Sequence, residues 1–262
     1  MKPDYGLDAP GVIRNLAIGG LVAVIVAVLA QALPPAVLPM TRADRTITSV
    51  WFFLTGTILL VESAWMLYSS KAGKLHMRER VINALALQGS ERVLDVGCGR
   101  GLLLVAAAKR LPRGEVVGID LWSARDLSDN RPEAALENAQ REGVENRAKV
   151  VTGDMTRMPF ADASFDAAVA SLSIHNIHGH EGRVAAAKEI ARVLKPAGRV
   201  AIVDIARTGE YVDAFRQLGW SDIRRTGYSL GMFPPVRMVV GTKPASAPLE
   251  PSTEATAKLA SR

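Results

Sequence analysis

The stretch Val93-Leu94-Asp95-Val96-Gly97-Cys98-Gly99-Arg100-Gly101 decides the fold. It begins as a short apolar run, closes on three glycines at alternate positions, and leads into the Ala- and Leu-rich segment 102–111. That pattern is a strand, a tight turn and a helix. Glycine reaches backbone angles closed to other residues and lets a ligand approach the main chain. In an open α/β sheet such a turn sits at the carboxyl end of a strand, where ligands bind. The spacing here is Gly-x-Gly-x-Gly. A dinucleotide fingerprint would need glycine at position 102, which is Leu102, and no Gly-Lys-Ser/Thr of a phosphate-cradling loop occurs.

Outward from this turn the pattern alternates. Met77, Val81, Ile82 and Leu85 fall at helical spacing and predict a helix over 74–87. Strands are expected over 92–96, 115–120, 149–152, 165–171 and 199–204. Helices are expected between them over 102–111, 132–142 and 182–194, with another over 211–218. Two late strands, 223–226 and 238–242, have no helix between them and predict an antiparallel edge. The expected fold class is α/β, a doubly wound, mostly parallel seven-stranded sheet of Rossmann-like type. This domain is expected over 71–243, after an N-terminal membrane region over 1–70. The segment 244–262, rich in Pro, Ala and Ser, is expected to be a disordered tail.

Two carboxylates stand where a nucleoside needs them. Asp120 ends the second strand, 19 residues after Gly101, and can accept from both hydroxyls of a ribose. Asp154 follows Gly153 at the end of the third strand and can accept from an adenine amino group. Four motifs in order, 93–101, 116–120, 153–160 with 165–170, and 192–204 (RVLKPAGRVAIVD), resemble the class I S-adenosylmethionine-dependent methyltransferases. The resemblance covers about residues 74–243 and is strongest to the small-molecule branch that includes quinone and sterol methyltransferases. It implies S-adenosylmethionine as cofactor. Asp95 and the backbone of Gly97, Gly99 and Gly101 would hold its methionine part, with Cys98 as a small loop residue rather than a nucleophile. Asp120 would hold the ribose. Leu121 or Trp122 would flank the adenine, Asp154 with Met155 would cap its edge, and Ser171 counts with the cofactor-binding residues.

Methyl transfer from a sulfonium is an in-line displacement, so alignment of acceptor and methyl supplies most of the acceleration. A base is needed only where the acceptor loses a proton. The loop after the fourth strand, which faces the methyl group in this family, reads Ser171-Leu172-Ser173-Ile174-His175-Asn176-Ile177-His178-Gly179-His180. It holds three of the four histidines, residues that titrate near neutrality. His175 and Asn176 are the catalytic candidates. No companion carboxylate or thiolate cluster makes the trio a metal site. The absence of an Asp/Asn-Pro-Pro-Tyr/Phe motif disfavours methylation of DNA-base amines, and no nucleic-acid module is visible. The single cysteine rules out a disulfide framework and the cysteine-rich arsenite branch.

Composition completes the reading. Of the first 70 residues 41 are apolar, although apolar residues make up 48% of the chain. Segment 16–33 carries no charge and, at about 1.5 Å per residue, nearly spans a bilayer core of about 30 Å. Segment 46–70 is apolar except for Glu62, a few small polar residues and one glycine, with aromatic residues near both ends. Two antiparallel membrane helices are the natural reading. A secretory signal ending at Ala30-Gln31-Ala32 and a buried hairpin of a soluble protein are the alternatives. Gly19, Ala23 and Ala27 share a face that suits close helix packing. Lys71, Lys74, Arg78 and Arg80 outweigh Arg42 and Arg45, so both termini and the catalytic domain are expected in the cytoplasm. Charges in the first 70 residues cancel, and the net +6 lies wholly in the domain behind them. The expected function is a membrane-anchored methyltransferase acting on a small or lipid-like acceptor. Its partners would be the bilayer and, through the membrane helices, further copies of itself, with no nucleic acid. A non-catalytic cofactor-binding scaffold and a protein methyltransferase are the competing readings. Glu62, an ionisable group inside a span, is a functional candidate.

Overall fold

The computed structural model describes residues 2–123 and 130–245, so nearly all of the expected tail lies outside the described residues. The chain divides into two compact units. One comprises Gly6–Leu75 with Leu230–Pro234. The other comprises residues 2–5, His76–Ser229 and the chain from Pro235 onward. These boundaries differ from the sequence reading at three places. The first residues join the sheet unit, while 71–75 and the loop 230–234 join the helical one.

The helical unit is a hairpin of α1 (Pro10–Ala32) and α2 (Arg42–Tyr68). Pro34 and Pro35 stop α1. The connector is satisfied from the side by Arg45, whose guanidinium donates to Leu33 O and Leu38 O, both at 2.5 Å. Thr41 caps α2 by accepting from Asp44 N. The seam on α1 is Ile13, Gly20, Ala23, Ala27 and Ala30. Gly20, not Gly19, makes the closest approach, because a stripe on a 3.6-residue helix advances by threes and fours rather than strictly by fours. A Cβ on Gly56 would lie 2.8 Å from Gly20 O, so the two backbones touch. Ser63 donates to Ile13 O at 3.0 Å and Ser49 to Ala27 O at 2.9 Å, both across the pair. The outward faces are apolar and exposed, including Ile18, Leu21, Val22, Ile25, Val28, Trp51, Phe53, Leu54, Ile58 and Val61. Both helices are long and apolar enough to cross a membrane.

After α2 the chain makes a π-helical turn, Ser69–Gly73. The 230–234 loop closes on this region. Trp65 Nε1 donates to Leu230 O at 3.0 Å, Phe233 N donates to Ser69 Oγ at 2.9 Å, and the Trp65 and Phe233 rings lie 5.0 Å apart.

In the sheet unit α3 (Lys74–Ala84) precedes β1 (Arg92–Val96), α4 (Leu102–Lys109), β2 (Glu115–Asp120), α5 (Pro132–Arg141), β3 (Ala148–Thr152) and β4 (Phe165–Ser171). Then follow α6 (His180–Val193), β5 (Leu194–Asp204), α7 (Thr208–Gln217), β6 (Arg224–Arg225) and β7 (Arg237–Thr242). The sheet order is β3-β2-β1-β4-β5-β7-β6, parallel through β5, with β7 antiparallel to β5 and to β6. This is the doubly wound sheet with an antiparallel edge that the pattern predicts. Only β5 differs materially. It starts at Leu194, ahead of the expected 199, with a register shift opposite Phe165/Ala167. Alternate residues of the strands, among them Leu94, Val96, Ile119, Ala168 and Ile202, enter a core with Ile190, Tyr211, Phe215 and Trp220. Asp95 therefore faces the other side, where α4 and α5 pack.

Gly56→Val should separate α1 from α2, because overpacking a backbone contact costs about 1–3 kcal/mol. Thermal unfolding in detergent micelles checks this. Gly11→Val is the control, since a Cβ there meets nothing within 4 Å. Equal melting of both variants would remove the seam from the argument.

Candidate active site

Strand order reverses between β1 and β4, and the crevice beyond their carboxyl ends is where such sheets bind ligands. The glycine turn builds one wall. Gly97, Gly99 and Gly101 all have positive φ, at 71°, 50° and 80°. A Cβ on Gly97 would lie 2.3 Å from Ser173 Cβ, so glycine there lets the loop after β4 seat directly on the turn. Ser173 Oγ donates to Val96 O at 2.8 Å and fastens the contact. The amides of Gly97, Cys98, Gly99 and Gly101 are already committed. Gly97 N and Cys98 N donate to Ile119 O, Gly99 N to Asp120 Oδ2 and Gly101 N to Cys98 O. The glycines thus shape the turn, and their N–H groups are spent within it rather than offered to a ligand. Cys98 turns its thiol into the sheet, since a Cβ on Gly118 would meet its Sγ at 2.6 Å. Burial, reinforced by Asp95 and Asp120, pushes that thiol well up and keeps it inert.

Asp95 is the one charged residue in the interior of β1 and is 1% exposed. Its Oδ2 is buried without a hydrogen-bond partner. Burial pushes the carboxyl up to about 8, with the Leu104 amide opposing and Asp120 adding to the rise. A buried, half-satisfied carboxylate is costly until a cation or donor reaches it. The ammonium and sulfonium of S-adenosylmethionine are such cations.

The β2 end gathers the expected nucleoside residues. Asp120 accepts from Gly99 N (2.8 Å), Trp122 N (2.7 Å) and Asn130 Nδ2 (3.2 Å). Trp122 is held in the left-handed region at φ 58° and donates from Nε1 to Thr152 Oγ1 at 2.8 Å. Leu121 is exposed beside it. Asp154 is exposed and accepts from Thr156 N, while Met155 packs on the core and reaches the space over Gly97.

The β4 end carries the catalytic candidates. Ser171 pairs with Val203, and residues Ile174–Asn176 form a single 3-10 turn. His175 Nδ1 lies 2.5 Å from Asp204 Oδ1. That contact lacks hydrogen-bond geometry, and the buried Nδ1 has no hydrogen-bond partner. Asn176 and His178 are exposed, and His180 pairs with Glu210 at 3.1 Å, so the three histidines do not converge. Arg183 holds the Glu210 carboxyl below its usual range.

Sequence reasoning missed Asn130, Asp204, Tyr211 and a contact from the start of the chain. Asp4 N donates to Asn138 Oδ1 and Asn138 Nδ2 donates to Asp4 O, both at 2.8 Å. Asn138 Nδ2 also donates to Arg100 O, and Arg100 pairs with the Asp4 carboxylate at 2.8 Å. Arg100 lies inside the glycine turn, so residues 2–5 and α5 clamp it. No local pattern in the sequence points from position 4 to position 138.

Three outcomes follow. Asp95 is mostly protonated in the free protein at pH 7, so binding S-adenosylmethionine should release close to one proton. Calorimetry in two buffers of different ionisation enthalpy reads this, and Asp95→Asn should abolish it. By the same linkage the folded form holds a proton that the unfolded chain, with its carboxyl near 3.9, has lost. Stability from this site should fall from about pH 4 to about pH 8 and then level off. Asn138→Ala strands the Arg100 carbonyl and should cost about 1–3 kcal/mol, seen as a lower melting point together with weaker cofactor binding.

Residues 93–198 match the family described as a methyltransferase domain. Sterol 4-C-methyltransferase strm-1 of Caenorhabditis elegans is 30% identical over 152 residues, 58% of this chain and 42% of that protein. Demethylmenaquinone methyltransferase of Staphylococcus aureus (strain JH9) is 34% identical over 131 residues, 50% of this chain and 49% of that one. The chain spans about half the length of the curated relatives it matches. Among solved structures, geranyl diphosphate C-methyltransferase from Streptomyces coelicolor A3(2), in complex with Mg2+, geranyl diphosphate and S-adenosyl-L-homocysteine, has the same fold. It superposes with a TM-score of 0.52 over 68% of this chain and 81% of that one, at 14% identity. The glycine turn, the buried Asp95 and Asp120 lie within the matched stretch, and S-adenosylmethionine is the cofactor they fit. Residues 93–198 are similar to a methyltransferase domain, on a sheet with the fold of these methyltransferase neighbours.

Proposed function

We propose that this protein is a membrane-anchored methyltransferase that moves a methyl group from S-adenosylmethionine to a small lipophilic acceptor. The observation that carries the reading is the unpartnered buried oxygen of Asp95 beside a glycine turn, in a chain that also holds an exposed apolar hairpin. S-adenosylmethionine supplies a methyl group on a sulfonium, already activated for displacement. Asp95 neutralises the cofactor's positive end, and Gly97, Gly99 and Gly101 leave room for it. Asp120, preset by Gly99 N and Trp122 N, takes the ribose hydroxyls. Leu121 and Trp122 border the adenine, with Asp154, Met155 and Ser171 around it. His175 and Asn176 face the acceptor, His175 being the group able to take a proton.

The hairpin supports a bilayer location. A soluble core helix would hide Leu21, Ile25, Trp51 and Phe53, which are exposed. Residues 2–5 precede α1 yet hydrogen-bond to Asn138, which supports a two-span hairpin with both ends on one side. Lys71, Lys74, Arg78 and Arg80, against Arg42 and Arg45, favour the cytoplasm for that side. The proposed domains are 1–70 as membrane region and 71–243 as catalytic domain. The acceptor class follows from location, since an anchored site meets substrates dissolved in the leaflet, as the names of the sterol and demethylmenaquinone relatives also favour.

Membranes holding the protein should be incubated with methyl-labelled S-adenosylmethionine and split into lipid, protein and aqueous fractions. Label is expected in the lipid fraction. Label confined to protein would replace this reading with a protein methyltransferase, and cofactor binding with no label anywhere would replace it with a scaffold. Asp120→Ala removes hydrogen bonds to a charged acceptor, each worth about 1.5–3 kcal/mol, and should weaken cofactor binding by about 10–100-fold in calorimetry.

A further inference from the structure

Three arginines gather around the carboxyl end of β5, and two of them have no acceptor. Arg237 opens β7 and pairs in register with Asp204, the last residue of β5. Arg225 ends β6 opposite Val239, two residues further along β7. Opposite residues of an antiparallel ladder share a face, so Arg225 and Arg237 are diagonal neighbours on one face. Thr226 N donates to Met238 O and Ser229 pairs with Val236, so Gly227 and Tyr228 stand together opposite Arg237. This bulge places the Tyr228 ring beneath the Arg237 guanidinium, whose carbon lies 3.8 Å from the ring centroid. Arg225 reaches the start of α7, where a Cβ on Gly209 would stand 3.2 Å from its Nη1. The third arginine, Arg207, precedes α7 and pairs with Glu210 at 3.8 Å.

Among the described residues, Arg225 and Arg237 make neither a hydrogen bond nor an ion pair. Arg237 is half-buried, and its Nε is shut off from solvent without a partner. A buried guanidinium donor that nothing receives is costly. Stacking on Tyr228 offsets part of that cost and fixes the plane of the group. The carboxylates nearby are taken. Asp204 accepts from His175 N, Ile205 N and Tyr211 OH. Glu210 is held by Arg183, His180 and Arg207, and Asp222 accepts from Thr242 N. Residues 223–242 contain no acidic side chain. Two neighbouring positive groups repel, and an anion set between them turns that repulsion into attraction. A guanidinium fork matches the paired oxygens of a carboxylate or a phosphate.

We propose that Arg237, with Arg225 beside it, binds an anionic group of the methyl acceptor, a carboxylate or a phosphate that offers two oxygens to the fork. This rests on the methyltransferase reading and deepens it, because the acceptor becomes an anionic amphiphile rather than a neutral lipid. The place suits an acceptor. β7 runs antiparallel to β5, so its first residue lies at the carboxyl edge of the sheet, where ligands bind. The loop after β4 reaches the same edge from the other side, where His175 N donates to Asp204. β5 alone separates β4 from β7, a gap of two strand spacings or about 10 Å. The anionic group therefore stands about 10 Å from the end of β4, a distance that a short acyl or aryl body spans. Arg237 holds the far end of the acceptor and sets which molecules enter, while the methyl is delivered at the other end.

The test uses the full chain in neutral detergent micelles with S-adenosylhomocysteine, and calorimetry with hexyl phosphate, hexanoate, hexanol and inorganic phosphate. At least one of the two amphiphilic anions is expected to bind about 10-fold more tightly than hexanol and than inorganic phosphate. Arg237→Gln should weaken that binding by about 10–100-fold, the usual loss for hydrogen bonds to a charged group. Arg237→Lys keeps the charge without the fork and should recover part of the loss. Tyr228→Leu removes the stacking and should weaken binding by about 3–10-fold. Binding of S-adenosylhomocysteine should stay within about 3-fold in all three variants, a change of well under 1 kcal/mol. In membranes given methyl-labelled S-adenosylmethionine, the same anion should compete with label transfer, and about 10-fold less well in Arg237→Gln. Equal binding of hexanol, or native anion affinity in Arg237→Gln, overturns the anionic group. Inorganic phosphate binding as tightly as the amphiphiles, or an anion that binds without slowing label transfer, overturns its place in the acceptor site. Failure of the native protein to bind S-adenosylhomocysteine would instead count against the methyltransferase reading itself.

Discussion

A carboxylate in the central strand of a parallel sheet is an expense that the rest of this site explains. Asp95 stands in β1 between β2 and β4, nearly without solvent, with one oxygen unpartnered. An apolar residue there would make a better strand. The strand order places the carboxylate beside the crevice that two diverging crossovers leave open between β1 and β4. The glycine turn follows because only residues without a Cβ let β1 end there and admit Ser173 against Gly97. The raised pKa of Asp95 expresses the cost of that burial, which a cationic ligand would relieve.

The helical hairpin obeys a different physics. In the bilayer proposed for it, lipid tails would solvate leucine as well as another leucine does, so the hydrophobic effect would not join α1 to α2. Close backbone contact at Gly20 and Gly56 and the hydroxyl bonds of Ser49 and Ser63 do that work. In the sheet unit large side chains such as Trp220, Tyr211 and Phe215 fill the interior. The opposite preferences explain why composition separates the two so cleanly, with bulky residues outward in one and inward in the other.

Much of the fold was legible. Six of the seven strands begin within one residue of where periodicity puts them, because buried parallel strands read as short apolar runs between turns. β5 escaped because Lys195, Pro196 and Gly198 look like a turn, and only pairing with β4 and β7 draws that segment into the sheet. Cofactor residues were legible where glycine and aspartate follow a strand. What spacing alone did not show is that the amides of Gly97, Gly99 and Gly101 close the turn itself, on Ile119, Asp120 and Cys98.

By itself the sequence determined fold class, cofactor and the presence of an apolar hairpin, because each is a local property: a period, a spacing or a run. Only the tertiary structure decided which histidine has a partner, which glycine meets which, and that residues 2–5 reach the cofactor turn. His175 and Asp204 are 29 positions apart, and Asp4 and Asn138 are 134 apart. Neither pair shares a helix face or a strand register. Their meeting is set by where parallel strands end and helices return, a geometry that the order of residues specifies only through the folded whole.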